Sequence, residues 1–326
     1  MKMQSWLSSA GALGLMSLLF LTPQTGAAQN GRTALPGTIN FIEGQVSING
    51  NLLNSRQEGN VSLQPNDMLS TTQGRVEVLL SPGAFLRVGN NSQVRMVSAG
   101  MSDPTIEVIR GEAMVEVDFL PKLAHLDVLE RGADSTLMKE GLYRFNADQG
   151  GVAVFDGKTQ IKVNDRVKEL GKGHEVLLSD AKLKSVSFDT KSADELYRWS
   201  SARAGYLAEA NESSARTVYT AGGWGPYGYG PGWAWNPYFA TWAWLPYDGF
   251  FWSPFGYPFF SPGFVAYAPY YGFGHGFYGG RGFYPGRAGI AAAPAFRGGG
   301  GFARGGGFAR GGGFGGGFAR GGGGRR

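Results

Sequence analysis

From Leu63 to Met96 the chain alternates apolar and polar residues with a period of two, the signature of strands with one face buried. Val76, Val78 and Leu80 fall on one face, Arg75 and Glu77 on the other. Ser81-Pro82-Gly83 turns the chain, Ala84, Leu86 and Val88 repeat the pattern, and Asn90-Asn91 turns it again before Val94 and Met96. Short strands that share an apolar face in this way are expected to leave the opposite face wet.

The same period recurs from Thr38 to Phe188: Val46-x-Ile48, Ile106-x-Val108, Ala113-x-Val115-x-Val117, Tyr143-x-Phe145, Val152-x-Val154, Ile161-x-Val163 and Val176-x-Leu178. Gln149-Gly150-Gly151, Asp156-Gly157 and Gly171-Lys172-Gly173 separate them with turn chemistry. The reading is mainly β over 38–188: a sandwich, barrel or short solenoid of antiparallel hairpins. The carboxylates Glu112, Glu116 and Asp118 alternate with the apolar positions of one strand and are expected on its solvated face. A helix follows. Ser192-Ala193-Asp194-Glu195 reads as a capping box, and Leu196, Trp199, Tyr206 and Ala210 recur at helical spacing through Asn211. The segment 189–212 is therefore expected to latch onto the β core, closing a protease-resistant unit from about Thr38 to Asn211.

The ends differ in composition. Lys2, the uncharged apolar run Ala10 to Leu21 and the small residues Gly26-Ala27-Ala28 read as a signal peptide over 1–28, cleaved before Gln29. With no Cys in the chain there is neither a lipid-modified Cys nor a disulfide framework, and no other segment is long and apolar enough for a membrane span. The segment 213–285 is rich in Gly, Pro and aromatic residues and holds Trp224, Trp233, Trp235, Trp242, Trp244 and Trp252. Part of it is expected to order as an aromatic hairpin, Trp242-x-Trp244 and Phe250-x-Trp252 flanking the turn Pro246-Tyr247-Asp248-Gly249. The tail 286–326 repeats Phe302-Ala303-Arg304 at Phe308 and Phe318 among glycines and is expected to be disordered.

Charge follows the same division. After Glu212 nine Arg face the single acid Asp248, which leaves 21 of the 30 basic and 24 of the 25 acidic residues before it. The formal net charge of +5 belongs to the C-terminal part. The histidines His125, His174 and His275 stand apart, and no HExxH, GxSxG, Walker loop or dinucleotide fingerprint occurs. The chain is read as a non-enzyme without metal or cofactor. Its candidate binding residues are Trp242, Trp244 and Trp252, for stacking on apolar or carbohydrate partners, and Arg304, Arg310 and Arg320, for a polyanion such as nucleic acid or acidic polysaccharide.

The run Leu63-x-x-Asn66-Asp67-x-Leu69-x-Thr71-x-x-Gly74-x-Val76, followed by Pro82-Gly83 and Ser92-x-Val94, resembles the FecR domain, whose members place a G-D-x-L-x-T turn before two strands and a D-G hairpin. Asn66 stands where that family has Gly and Pro82 where it has Asp, and both keep turn chemistry. The resemblance reaches back to Gly44-Gln45-Val46 and forward to Arg110–Val117. It implies an all-β periplasmic or secreted domain acting as an envelope-associated binding, scaffold or sensing module. Taken literally, it implies a relay of an outer-membrane transport signal to a sigma factor. Such regulators carry a cytoplasmic region and a membrane span ahead of the domain, whereas here only a few residues precede the leader, so signalling stands as the alternative. A further alternative is a matrix protein that binds polyanions through its Arg-Gly-Phe tail.

Overall fold

The computed structural model describes residues 34–222 and 232–267. The leader, Trp224, His275 and the tail with Arg304, Arg310 and Arg320 lie outside the described residues. Strands β1 (Ile39–Ile48), β2 (Asn51–Leu52), β3 (Met68–Ser81), β4 (Ala84–Val88), β5 (Gln93–Ala99), β6 (Pro104–Arg110) and β7 (Glu112–Val117) come first. They are followed by β8 (Asp127–Glu130), β9 (Ala133–Leu137), β10 (Gly141–Asn146), β11 (Gly151–Asp156), β12 (Lys158–Val163), β13 (Arg166–Gly171), β14 (His174–Leu177) and β15 (Val186–Ser187). All of these belong to one sheet, in the order β13-β12-β9-β8-β6-β5-β3-β4-β7-β10-β11-β14-β15, with β1 on β3 and β2 on β1.

The expected mainly β architecture is what forms, and the sheet curls until β13 comes up against β14 and β11. Its concave face takes the residues that the period-two pattern selected. Val76, Val78, Leu80, Leu86, Val88, Val94, Met96, Ile106, Val115, Phe145, Val152 and Ile161 join a single apolar core. Asn66 adopts φ +74°, a conformation open to Gly and tolerated by Asn, and its N–H donates to the Met96 carbonyl at 2.7 Å. Not every pair is an antiparallel hairpin, because β6 and β8 run parallel. After β6 the chain crosses to form β7 beside β4, and it returns to the free edge of β6 already pointing the same way.

The opposite face of β1, β3, β4, β7 and β10 is not wet. Helix α1 (Glu195–Thr220) lies across it, with Leu196 and Trp199 packed among Met114, Leu142 and Phe155. Its N-cap is Asp194, whose carboxylate accepts from Tyr197 N–H at 2.7 Å, rather than Ser192 of the expected box. The helix also runs past Asn211 to Thr220. Its last turns bury Ala215 against Ala234, Leu245, Phe260 and Val265, so tertiary packing supplies the reason to continue.

Those partners come from the aromatic segment, which does not pair as expected. Strand β17 (Thr241–Leu245) pairs with β16 (Gly232–Asn236), setting Trp242 opposite Trp235 and Trp244 opposite Trp233. Strand β18 (Phe250–Trp252) pairs with β19 (Pro258–Phe260), and a short helix, α2 (Pro262–Tyr267), comes next. Pro246 to Gly249 therefore links two hairpins instead of closing one. Asn236 favours the earlier turn, since its Oδ1 accepts from Tyr238 N–H at 3.0 Å and Phe239 N–H at 3.1 Å.

Buried asparagines bind this segment to the rest. Asn40 donates to Glu77 and to the Trp242 carbonyl, and accepts from Trp242 N–H at 2.9 Å. Asn211 donates to the Trp244 carbonyl at 2.7 Å and the Phe260 carbonyl at 3.0 Å, and accepts from Phe260 N–H at 2.7 Å. An amide offers a donor pair and an acceptor together, which suits a backbone left with both unmet. Residues 232–267 are thus part of the fold, and the expected boundary at Asn211 would cut through its interior. Asn211→Ala should leave two carbonyls and one N–H buried without partners, at a cost of about 3 kcal/mol. A lowered urea midpoint would register this, and an unchanged midpoint would refute the clamp.

Candidate binding site

Between the sheet and its cover lies a layer of charge. Glu77 on β3, Arg87 on β4 and Glu116 on β7 stand side by side, since Glu77 pairs across the strands with Arg87, and Phe85, the next outward residue of β4, with Glu116. Arg87 Nε donates to Glu77 at 3.0 Å, and its Nη1 donates to Glu116. Arg203 on α1 comes down from above, and its Nη2 donates to Glu77 at 2.8 Å. Arg203 also lies over the Phe41 ring at 4.1 Å and the Tyr206 ring at 4.9 Å. Burial pushes the Glu77 carboxyl up, but Arg203 and Arg87 outweigh it and hold it below the usual carboxylate range. This corrects the expectation for two of these carboxylates: Glu116 is 1 % and Asp118 3 % exposed, and Glu116 accepts from Ser253 Oγ.

The stacking candidates fare differently from one another. Trp242 and Trp244 are each 2 % exposed. They pack with Leu79, Phe85, Leu207 and Phe259, and Trp242 Nε1 donates to the Gly59 carbonyl at 3.0 Å. Neither indole presents a face to a ligand in this fold. Gly83, at φ +85°, explains part of the fit, because a Cβ there would stand 3.2 Å from the Trp244 ring and 2.9 Å from Phe119. Trp252 is 40 % exposed at the rim of the segment.

A concave site opens elsewhere on the outer face, beside the N-terminal end of α1, where Arg144 of its lining pairs with the N-cap Asp194. It is a groove of about 480 Å³ floored by Gly151 and Ala153 on β11, within the size range of small-ligand sites. Glu112, Asn146, Gln149, Glu175, Asp180 and Lys184 line it, with Phe188 as its aromatic wall. Asn146 donates to Glu112, and Phe188 is held edge-on against Phe155 with centroids 4.9 Å apart. The small floor residues make the depth, and the acids and amides offer paired acceptors and donors. Of this set the sequence singled out Glu112, as a solvated residue. The others reach the groove from separate strands, from the β10–β11 turn that Gln149-Gly150-Gly151 marks and from the loop after β14, with no local motif to mark them as a site. Among the described residues, no three His, Asp or Glu side chains gather in a metal-binding group.

One carboxyl inside the β core is also out of the ordinary. Glu130 faces inward at the end of β8, fully buried, with neither oxygen hydrogen-bonded. Burial raises its pKa to about 8, against a small opposing effect of Arg131. The folded form thus keeps a proton that the unfolded chain releases near 4.5, so stability falls as pH rises from there and the loss is complete above about 8. Glu130→Gln carries no such charge. The difference in unfolding free energy between variant and parent should move in the variant's favour across that window, by roughly 1.4 kcal/mol per pH unit, and Tm measured against pH registers it. Parallel Tm profiles would show that Glu130 titrates normally.

No protein-family model and no curated protein sequence matches the chain. Among solved structures, two crystal structures of a candidate anti-sigma factor from Parabacteroides distasonis are similar to it at 17 % identity. The first has a TM-score of 0.34 over 41 % of this chain and 64 % of the other, so the chain spans just under two thirds of that protein's length. The second has a TM-score of 0.33 over 47 % and 73 %.

Proposed function

We propose that this chain is a non-catalytic, exported binding module of the cell envelope. Its β domain, helix and aromatic segment form one scaffold, the groove over β11 takes the ligand, and the Arg-Gly-Phe tail makes contact with polyanions. The groove carries the reading. Carboxylates and amides beside an aromatic wall suit a hydroxyl-rich or amino-sugar ligand, whose hydroxyls need acceptors and donors and whose ring faces are apolar. Docking to the sheet occupies Trp242 and Trp244, so sugar stacking falls to Phe188.

Two contributions to binding are then separable by salt. The groove is tested with a neutral amino-sugar tetrasaccharide, followed by calorimetry. Glu175→Ala and Asn146→Ala should each weaken binding about tenfold, the loss of roughly one hydrogen bond to a charged or buried partner. Equal affinity in both variants would remove the groove from the reading. The tail is tested by comparing the full mature chain with one ending at Ala295 on columns of DNA and acidic polysaccharide. Retention by the full chain should fall steeply with salt, because guanidinium groups release counterions on binding. Equal retention of both chains at low salt would exclude Arg304, Arg310 and Arg320 from the function.

A further inference from the structure

The turn from Ser253 to Tyr257 meets the sheet at the end of β7. Ser253 Oγ donates to Glu116 Oε1, and Phe255 lies over Arg87 with its ring centroid 5.9 Å from the guanidinium carbon. Tyr257 rests on Gly205 of α1, where an added Cβ would stand 3.1 Å from the ring. The turn is therefore a wedge between sheet and helix, and Glu116 is its polar anchor.

Beside that anchor sits Asp118, two residues along the same face of the chain. The charged groups that act on it are Glu116, Arg87 and Glu140 before β10, and Arg87 in turn pairs with Glu77, which Arg203 of α1 also meets. The Tyr197 ring packs edge-on against Phe255 with centroids 5.1 Å apart, and the turn itself brings no charge. The two guanidinium groups are already matched by Glu77 and Glu116. An ionised Asp118 would be a third carboxylate without a cation, and neither of its oxygens has a donor. With a proton it becomes a donor itself, and Glu116 is the carboxylate beside it.

We propose that Asp118 and Glu116 form a proton-operated latch that holds the Ser253–Tyr257 turn on the sheet. The latch is closed while Asp118 keeps its proton. Ionisation sets two carboxylates side by side under the turn, and swinging the turn out to admit water relieves the repulsion and uncovers Phe255 and Tyr257. Burial first, and then the charge of Glu116, hold the Asp118 carboxyl well above the ordinary carboxylate range. The opening therefore comes as pH rises, not as it falls.

The test uses the full mature chain and Asp118→Asn, whose amide donates to Glu116 at every pH. Near-ultraviolet circular dichroism is followed from about pH 5 to about pH 9.5, spanning raised carboxyl pKa values. The parent should lose aromatic signal in one step while its far-ultraviolet spectrum stays β-rich, and the variant should show no such step. Tyrosine ionisation occurs in both proteins and cancels in the comparison. Superimposable curves would overturn the latch. Should the variant not fold, the carbon-13 shift of the Asp118 carboxyl in the parent decides the matter. Titration together with the Ser253 and Gly256 amide signals supports the latch, and titration in the ordinary range near 4 refutes it.

Discussion

The fold of this chain turns on the neutralisation of charge between a sheet and the layer that covers it. Glu77, Arg87, Glu116 and Arg203 are all essentially without solvent, and each is tolerable there only because the others are present. Removing one partner of such a pair strands the other and typically costs about 3–5 kcal/mol. The helix must supply Arg203, so it cannot dock anywhere else on the sheet without leaving Glu77 half answered. The aromatic segment must supply Ser253 and the Trp242 backbone, so it too has one position. Apolar packing of Trp244, Phe259 and Leu207 adds buried surface but little of the specificity, since aromatic faces slide where hydrogen bonds do not.

This arrangement sorts the molecule into a closed side and an open side. The closed side carries the aromatic residues that composition alone would assign to ligands, and there they act as the inner surface of a core. The groove over β11 lies beside the N-terminal end of α1, where small floor residues and a looped wall leave space. On the proposed function, recognition moves from the most aromatic stretch to a part of the sheet whose composition is ordinary.

Two buried carboxyls stand outside the balanced set, and they differ in kind. Glu130 lies in an apolar surround with no partner, so its ionisation weighs on the stability of the β core as a whole. Asp118 lies beside Glu116, which anchors a turn, so in the proposed latch its ionisation bears on one contact. Both keep a proton for the same physical reason, the cost of an unmatched charge away from water.

The strands and their inward residues were legible because period-two alternation reports burial on one face directly. Val76, Leu86, Val94 and Val115 needed no knowledge of the partner strand to be placed inside. The turns were legible in the same local way, down to Asn66 in a conformation that Gly would also take. Alternation is silent, however, about what lies over the other face. Glu77 and Glu116 read as wet because a polar residue opposite an apolar one is the usual mark of solvent, and only α1 and residues 232–267 make them interior. Likewise Trp242 and Trp244 advertise a sticky surface whether the partner is a ligand or the protein's own sheet, and the choice depends on Asn40 and Asn211 meeting their backbone from far away in sequence. Sequence by itself determined the β core, the helix and the aromatic character of the segment after the helix, since each rests on near neighbours. The tertiary structure alone decided which polar residues are buried, which aromatics are spent on packing and where a groove remains, because those depend on contacts between segments that no local pattern encodes.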